Sequence, residues 1–201
     1  PKSDVLILAD WAEKHKTRLI VDESFVDFSD GYEYNSLLDD KILEAYPHLI
    51  VMKSISKSYG VPGLRLGILA SSDNALIAKM KKQVSIWNLN SFAEFFMQIF
   101  SKHEKDYKRA CHKFVVERNS WNEGRCILVM PTQANYFLCE VLAPYTANEV
   151  VIYLLKNYNI LTRDCSSKSG FDGKQYMRIA IRNHEDNERL IKAFKYFIKY
   201  S

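Results

Sequence analysis

The chain has 201 residues, 47% of them apolar, and a formal charge of +4. That is ample core material for one large domain or two small ones. The mild charge, with Lys and Arg interleaved among Asp and Glu over 102–125 and 182–199, reads as solvated helix faces rather than a nucleic-acid surface. No signal peptide is visible and no apolar run reaches the roughly 18 residues of a membrane span. Cys111, Cys126, Cys139 and Cys165 form no C-x-x-C pair, so neither a zinc site nor a redox motif is indicated, and a reducing, cytoplasmic setting is expected. Cys111, Cys126 and Cys139 sit among apolar neighbours and read as small buried hydrophobes.

Taken in order, Ser3 or Asp4 is placed to cap a first helix, whose Val5, Leu8, Ala9 and Ala12 recur at helical spacing. Residues 18–22 form a short, continuously apolar strand ending in Asp22, of the kind buried on both faces of a parallel sheet. A loop over 29–36 and a short helix near 39–45 lead to a second such strand at 48–52. Gly60, Pro62 and Gly63 break the chain before a third strand at 66–70. Ser72 or Asp73 caps a helix over 74–83, and a loop containing Trp87 precedes a long helical stretch from Ser91 to about Asn119. Strands at 126–130 and 135–141, a helix from Thr146 or Asn148, a strand at 159–163, a loop over 166–174, a strand at 176–181 and a helix from 184 to about 199 complete the chain.

This order predicts α/β architecture, a mostly parallel sheet with helices, followed by a smaller α+β part. The expected division is 1–88, a connecting helix at 89–120, and 121–201. The chain opens on Pro1 without an initiating methionine and enters a helix at once, which reads as a piece of a longer protein.

The chemistry concentrates after the second strand, in Ser54-Ile55-Ser56-Lys57-Ser58-Tyr59-Gly60-Val61-Pro62-Gly63-Leu64-Arg65-Leu66-Gly67. A lysine stands between two hydroxyl residues, with an arginine eight positions on. The amine can form a Schiff base with a carbonyl cofactor. The hydroxyls and the guanidinium suit the phosphate such a cofactor would carry. Asp22, 35 residues upstream, ends the first strand, at the sheet edge where ligands of open α/β sheets collect. A carboxylate there can face a pyridine nitrogen and keep it protonated. Each residue alone has an ordinary explanation: a turn-forming Asp, a solvated Lys, loop serines, a surface Arg. Their order and spacing together point to pyridoxal phosphate.

Asp22-Glu23-Ser24-Phe25, then Ser54-x-Ser56-Lys57 and Gly63-Leu64-Arg65-Leu66-Gly67, closely resemble the fold type I, class I/II pyridoxal phosphate aminotransferases. The branch most resembled holds histidinol-phosphate aminotransferase and threonine-phosphate decarboxylase. The resemblance runs the length of the chain, specific around Lys57 and looser in the last third. It implies that Lys57 forms the Schiff base and shuttles a proton at the substrate α-carbon, that Asp22 pairs with the pyridinium nitrogen, and that Ser54, Ser56 and Arg65 hold the phosphate. It implies that Arg178, in Tyr176-Met177-Arg178-Ile179-Ala180-Ile181, clamps the substrate α-carboxylate, with Arg182 a weaker candidate, and that Asn135 lies near the substrate pocket. It also implies a homodimeric parent enzyme.

Two departures matter. The position three after Asp22 is commonly tyrosine in the superfamily and is Phe25 here, which removes a donor to the cofactor's phenolic oxygen and keeps decarboxylase chemistry open. The glycine-containing phosphate loop, the ring-stacking aromatic and the asparagine of the family's N-terminal portion are not found upstream of Asp22. The expected activity is therefore amino-group transfer between an amino acid and a 2-oxo acid or phosphorylated ketone. The alternatives are decarboxylation of a phosphorylated amino acid, or a catalytically inert fragment that serves as an interaction module.

Overall fold

A computed structural model of the chain describes residues 1–121 and 126–200. The charged stretch over 102–125 and the expected last division, 121–201, both run into residues outside that description. The chain divides into two compact units, Pro1–Cys111 and His112–Ser201.

In the first unit α1 (Lys2–Lys14) leads to β1 (Leu19–Asp22), a 3-10 turn (Val26–Phe28), α2 (Tyr32–Asn35), α3 (Asp40–Ala45) and β2 (Leu49–Ser54). Then follow α4 (Ile55–Ser58), a second 3-10 turn (Pro62–Leu64), β3 (Gly67–Ala70), α5 (Asn74–Gln83), α6 (Ser91–Phe100) and the start of α7 (Glu104–Asn119). The sheet order is β1-β2-β3, with β1 parallel to β2 and β3 antiparallel to it. The third strand is the antiparallel member of a sheet expected to be mostly parallel. Only the four-residue α4 and a 3-10 turn lie between β2 and β3, too little helix to cross a sheet face, so the Gly60–Gly63 break folds the chain straight back.

Leu49 and Val51 of β2 and Leu37 are fully buried, with Leu19, Val21, Val5, Leu6, Ile42 and Leu43 packed around them. This is the sheet face that meets α1 and α3. On the other face Ile20 is 61% and Met52 42% exposed. β1 is thus an edge strand open on one side, rather than a strand buried on both. α1 starts at Lys2 with no side-chain cap, so neither Ser3 nor Asp4 caps it. It buries Ala9 and Ala12 but leaves Leu8 exposed. Asp73 does cap α5, accepting from the Leu76 amide at 2.9 Å.

The long helical stretch after Asn90 is two helices. The Lys102 and His103 amides bond back three residues, to Ile99 and Phe100, which tightens and ends α6 before α7 begins. α6 lies in the first unit and α7 runs into the second.

The second unit holds β4 (Ile127–Val129), β5 (Tyr136–Val141), α8 (Ala147–Tyr158), β6 (Arg163–Asp164), β7 (Tyr176–Ala180) and α9 (His184–Tyr200). Its sheet, β4-β5-β7-β6, is antiparallel throughout. The alternating burial of β5 and the apolar faces of α8 and α9 close one core around Cys139, Val150, Leu154, Met177, Ile179 and Ala193. Thr146 and Glu149 form a reciprocal capping box at the start of α8. Asn159 ends α8 in the left-handed region and the Ile160 amide turns back to the Leu154 carbonyl. The expected strand at 159–163 is therefore reduced to Arg163–Asp164. All four cysteines are buried and free.

Candidate active site

β1 and β2 end side by side, Asp22 in register with Met52. The Glu23 amide donates to the Met52 carbonyl at 2.7 Å, continuing the ladder beyond the strand. Ser24 then turns back: its amide donates to Asp22 Oδ1 at 2.8 Å, and its hydroxyl donates to the same oxygen. The Ser54 amide donates to Ser24 Oγ at 3.0 Å. A chain of hydrogen bonds thus fastens the Asp22 carboxylate to both strand ends. The Ser24 hydroxyl, the Ser24 amide and the nearby positive charge of Lys57 hold Asp22 below the ordinary carboxylate range against a small opposing effect of burial. Asp22 is exposed and stays ionised, and its Oδ2 accepts none of the Ser24 bonds.

Lys57 lies on α4, directly after β2, with an exposed side chain. Its Nζ stands 4.1 Å from the centre of the Phe25 ring, within cation–π range. Ser56 is buried and Ser54 partly so. The Ile55 amide donates to the Leu66 carbonyl at 3.1 Å, and Ser54 is opposite Gly67. Arg65, one residue before Leu66, is thereby carried alongside the Ser54–Ser56 segment. It is exposed, in the left-handed region (φ 54), with Nη1 3.4 Å from the Pro62 carbonyl. The fold therefore brings Asp22, Phe25, Ser54, Ser56, Lys57 and Arg65 to one end of one sheet.

Arg178 and Asn135 belong to the second unit. Arg178 is exposed on β7, its guanidinium carbon 5.2 Å from the Tyr136 ring centre. Its register partners are Leu138 on β5 and Arg163 on β6. Asn135, half-buried just before β5, accepts the Ile181 amide on its carbonyl at 3.1 Å. Arg182 is tied by Nε to Asp186 at 2.6 Å, an exposed i,i+4 pair, and so reads as a surface charge.

Three features were missed in the sequence. Ser24 had a signal, the Asp-x-Ser spacing that returns a hydroxyl to a strand-ending carboxylate. Arg163 had none, because its pairing with Arg178 depends on strand register. Lys53 had a weak one, a lone cation in an apolar strand; it is buried against Asp27, Nζ to Oδ1 at 2.7 Å. Among the described residues no group of three metal-ligating side chains is assembled, and no helix is long and apolar enough to cross a membrane.

Residues 1–194 match the family model of aminotransferases of class I and II. The chain belongs to that family, whose members are pyridoxal phosphate-dependent enzymes. It is 32% identical over 195 residues to the threonine-phosphate decarboxylase of Salmonella typhimurium, covering 94% of this chain and 50% of that protein. It is 26% identical over 204 residues to the histidinol-phosphate aminotransferase of Methanosphaera stadtmanae, covering 99% of this chain and 52% of the relative. Among solved structures it superposes on a decarboxylase from Sulfurospirillum multivorans with a TM-score of 0.76 and 29% identity, over 90% of this chain and 52% of the other. A further fold relative, 16% identical with a TM-score of 0.71 over 94% of this chain and 52% of its own, is the Sinorhizobium meliloti histidinol-phosphate aminotransferase in complex with pyridoxal-5'-phosphate. The chain spans about half the length of these relatives.

Proposed function

We propose that the protein containing this chain is a pyridoxal phosphate-dependent enzyme acting at the α-carbon of an amino acid, and that residues 1–88 supply part of its cofactor cradle, 89–120 its connector and 121–201 its small domain. The observation that carries this is the juxtaposition, at one strand end, of an ionised Asp22 with a free second oxygen and the exposed amine of Lys57. When bound, the cofactor supplies a carbonyl for an amine and a ring that takes up electron density from the substrate α-carbon. Asp22 keeps a negative charge at the ring nitrogen, which its lowered pKa favours. Ser54, Ser56 and Arg65 hold the phosphate, Arg65 by a charge-assisted fork. Lys57 holds and then moves the proton at the α-carbon, and Phe25 lines its amine. Arg178 takes the substrate α-carboxylate, for which a planar guanidinium is suited. Asn135 lines the substrate side.

Amino-group transfer to a 2-oxo acid or phosphorylated ketone is the reading favoured by the family and by the aminotransferase relative. Decarboxylation of a phosphorylated amino acid is favoured by Phe25, by the two decarboxylase relatives, and by the Arg163–Arg178 register, which sets two cations on one side of β6–β7 for a doubly anionic substrate. Carbon dioxide release against keto-acid formation by the complete enzyme separates them. The parent is read as a homodimer, and Ile86, Trp87 and Phe92, all more than three-quarters exposed, supply apolar surface for association. A strictly monomeric complete enzyme in sedimentation counts against it.

The test of the cofactor assignment is direct. Mixing the 201-residue chain with pyridoxal phosphate is expected to give an absorbance band that Lys57→Ala abolishes. Identical spectra for these two proteins leave the inert-module reading for the chain, and identical spectra for the complete enzyme and its Lys57→Ala variant overturn the assignment.

A further inference from the structure

Asp27 and Lys53 form an ion pair in which the residues are only 7% and 8% exposed. Burying two charges costs desolvation that their attraction seldom exceeds, so the pair is a poor device for stability. The pair is not even complete, since Asp27 Oδ2 is buried with no hydrogen-bond partner. The Tyr59 ring, 6.0 Å from Lys53 Nζ, and Tyr107, stacked on Tyr59 at 4.2 Å, enclose this polar pair on an apolar side. Burial accordingly pushes the Tyr59 phenol up to about 12.

What the pair joins is specific. Lys53 is the penultimate residue of β2, four before Lys57. Asp27 lies in the 3-10 turn that begins immediately after Phe25. The turn is already tied to β2 at its start, through Ser24 Oγ and the Ser54 amide. The ion pair ties it at its end. Phe25 lies between these two ties, and its ring is the surface on which Lys57 Nζ rests at 4.1 Å.

We infer that Asp27 and Lys53 are positioning residues: their buried ion pair locks the turn carrying Phe25 against β2 and so fixes the Phe25 ring beneath the amine of Lys57. This rests on the reading of Lys57 as the cofactor lysine for its functional meaning, but the geometry itself can be tested without cofactor. A purely structural pair could be replaced by apolar side chains of similar volume with the fold retained. A positioning pair could not be replaced without freeing the ring.

The experiment uses the 201-residue chain with its lysines reductively ¹³C-dimethylated. The Lys57 resonance is assigned by its loss in Lys57→Arg. Resting over an aromatic face, it is expected upfield of the other lysines, and to rejoin them in Phe25→Leu. In the double variant Asp27→Leu/Lys53→Met, folded by circular dichroism, it is expected to rejoin them too, although Phe25 is intact. A folded double variant that keeps the full upfield shift overturns the inference, as does the absence of the shift in the unsubstituted chain. Should the double variant fail to fold, Asp27→Asn decides: the shift falls by half or more, or the inference fails. Pyridoxal phosphate added to the complete enzyme with its lysines unmodified reads the other assignment independently, because a dimethylated amine forms no Schiff base. The expected shift pattern in the methylated chain, with no Lys57-dependent band in the unmodified complete enzyme, would sink the cofactor reading and leave the positioning role of the pair standing as geometry.

Discussion

Asp22-Glu23-Ser24 and Asp164-Cys165-Ser166 are the same local device in the two halves of the molecule. Each aspartate ends a strand, β1 or β6, and in each the serine two residues on returns its amide to Oδ1 at 2.8 Å and its hydroxyl to the same oxygen. Both carboxyls are held below the ordinary range. At Asp164 burial pulls upward and the Ser166 bonds outweigh it, whereas at Asp22 the Ser24 bonds dominate and Lys57 adds its charge. The motif itself is therefore a way of ending a strand. Asp22 differs only in its surroundings: Ser24 is bonded onward to the end of a parallel neighbour, and a lysine follows that neighbour. The two halves also differ in how they are held. Among the described residues the second unit has one core of fifteen buried residues, while the first has two clusters of three and ties its active end together with polar bonds.

The largest effect separates the cores. Leu154→Ala, in the middle of the fifteen-residue core, is expected to cost toward the upper end of about 2–5 kcal/mol in urea unfolding, and Leu37→Ala toward the lower end, because a small cluster collapses more readily around the gap. The reverse order breaks the comparison. The second effect separates the turns. Ser24→Ala and Ser166→Ala are both expected to raise the pKa of their aspartate, read by carboxyl NMR titration. Only Ser24→Ala should weaken pyridoxal phosphate binding, by about tenfold, or about 1.4 kcal/mol. Equal losses of binding would show that the turn at Asp22 has no special role.

The pH dependence follows from the sign. A carboxyl whose folded pKa lies below its unfolded value stabilises the fold at neutral pH, and that contribution is lost as pH falls through the folded value. Asp22, Asp164 and Glu149 all belong to this group. Acid unfolding is thus expected to set in at higher pH in either serine variant.

Smaller again, Thr146→Ala should cost about 1 kcal/mol by removing the α8 capping box, while Ser3→Ala costs nothing measurable because α1 has no side-chain cap. A measurable loss at Ser3 would reverse that contrast. The smallest change in stability is expected at Arg65. Glycine there relieves a left-handed backbone worth about 1–2 kcal/mol and loses part of that to chain entropy. Arg65→Gly should melt within a degree or two of the unsubstituted chain yet bind the cofactor more weakly. Unchanged binding would remove Arg65 from the phosphate.

Much of this was legible in residue order. The apolar runs before Asp22 and Ser54 announced two strands whose ends lie together, and the Ser-x-Ser-Lys and Gly-Leu-Arg-Leu-Gly pieces are contiguous. What was not legible depends on partners distant in sequence. The antiparallel turn-back of β3, the open face of β1 and the pairing of Arg163 with Arg178 are all matters of which strand lies beside which, and local periodicity carries no such information. Lys53 illustrates the point at the site itself. Its helical and strand surroundings mark it only as a cation in an apolar run, and Asp27, 26 positions away, is what turns it from a liability into a tie.

Trp87, 88% exposed in the segment between α5 and α6, makes the molecule its own optical reporter. An indole standing in water emits toward the red and is open to collisional quenchers, whereas Trp121, half-buried against Phe137 at 4.7 Å, is shielded from them. Iodide should therefore remove a red component of the emission, shared with Trp11, 52% exposed, whose part is left in Trp87→Phe. Loss of that component as the chain is concentrated would register the moment at which the 84–92 surface leaves the solvent, without any label.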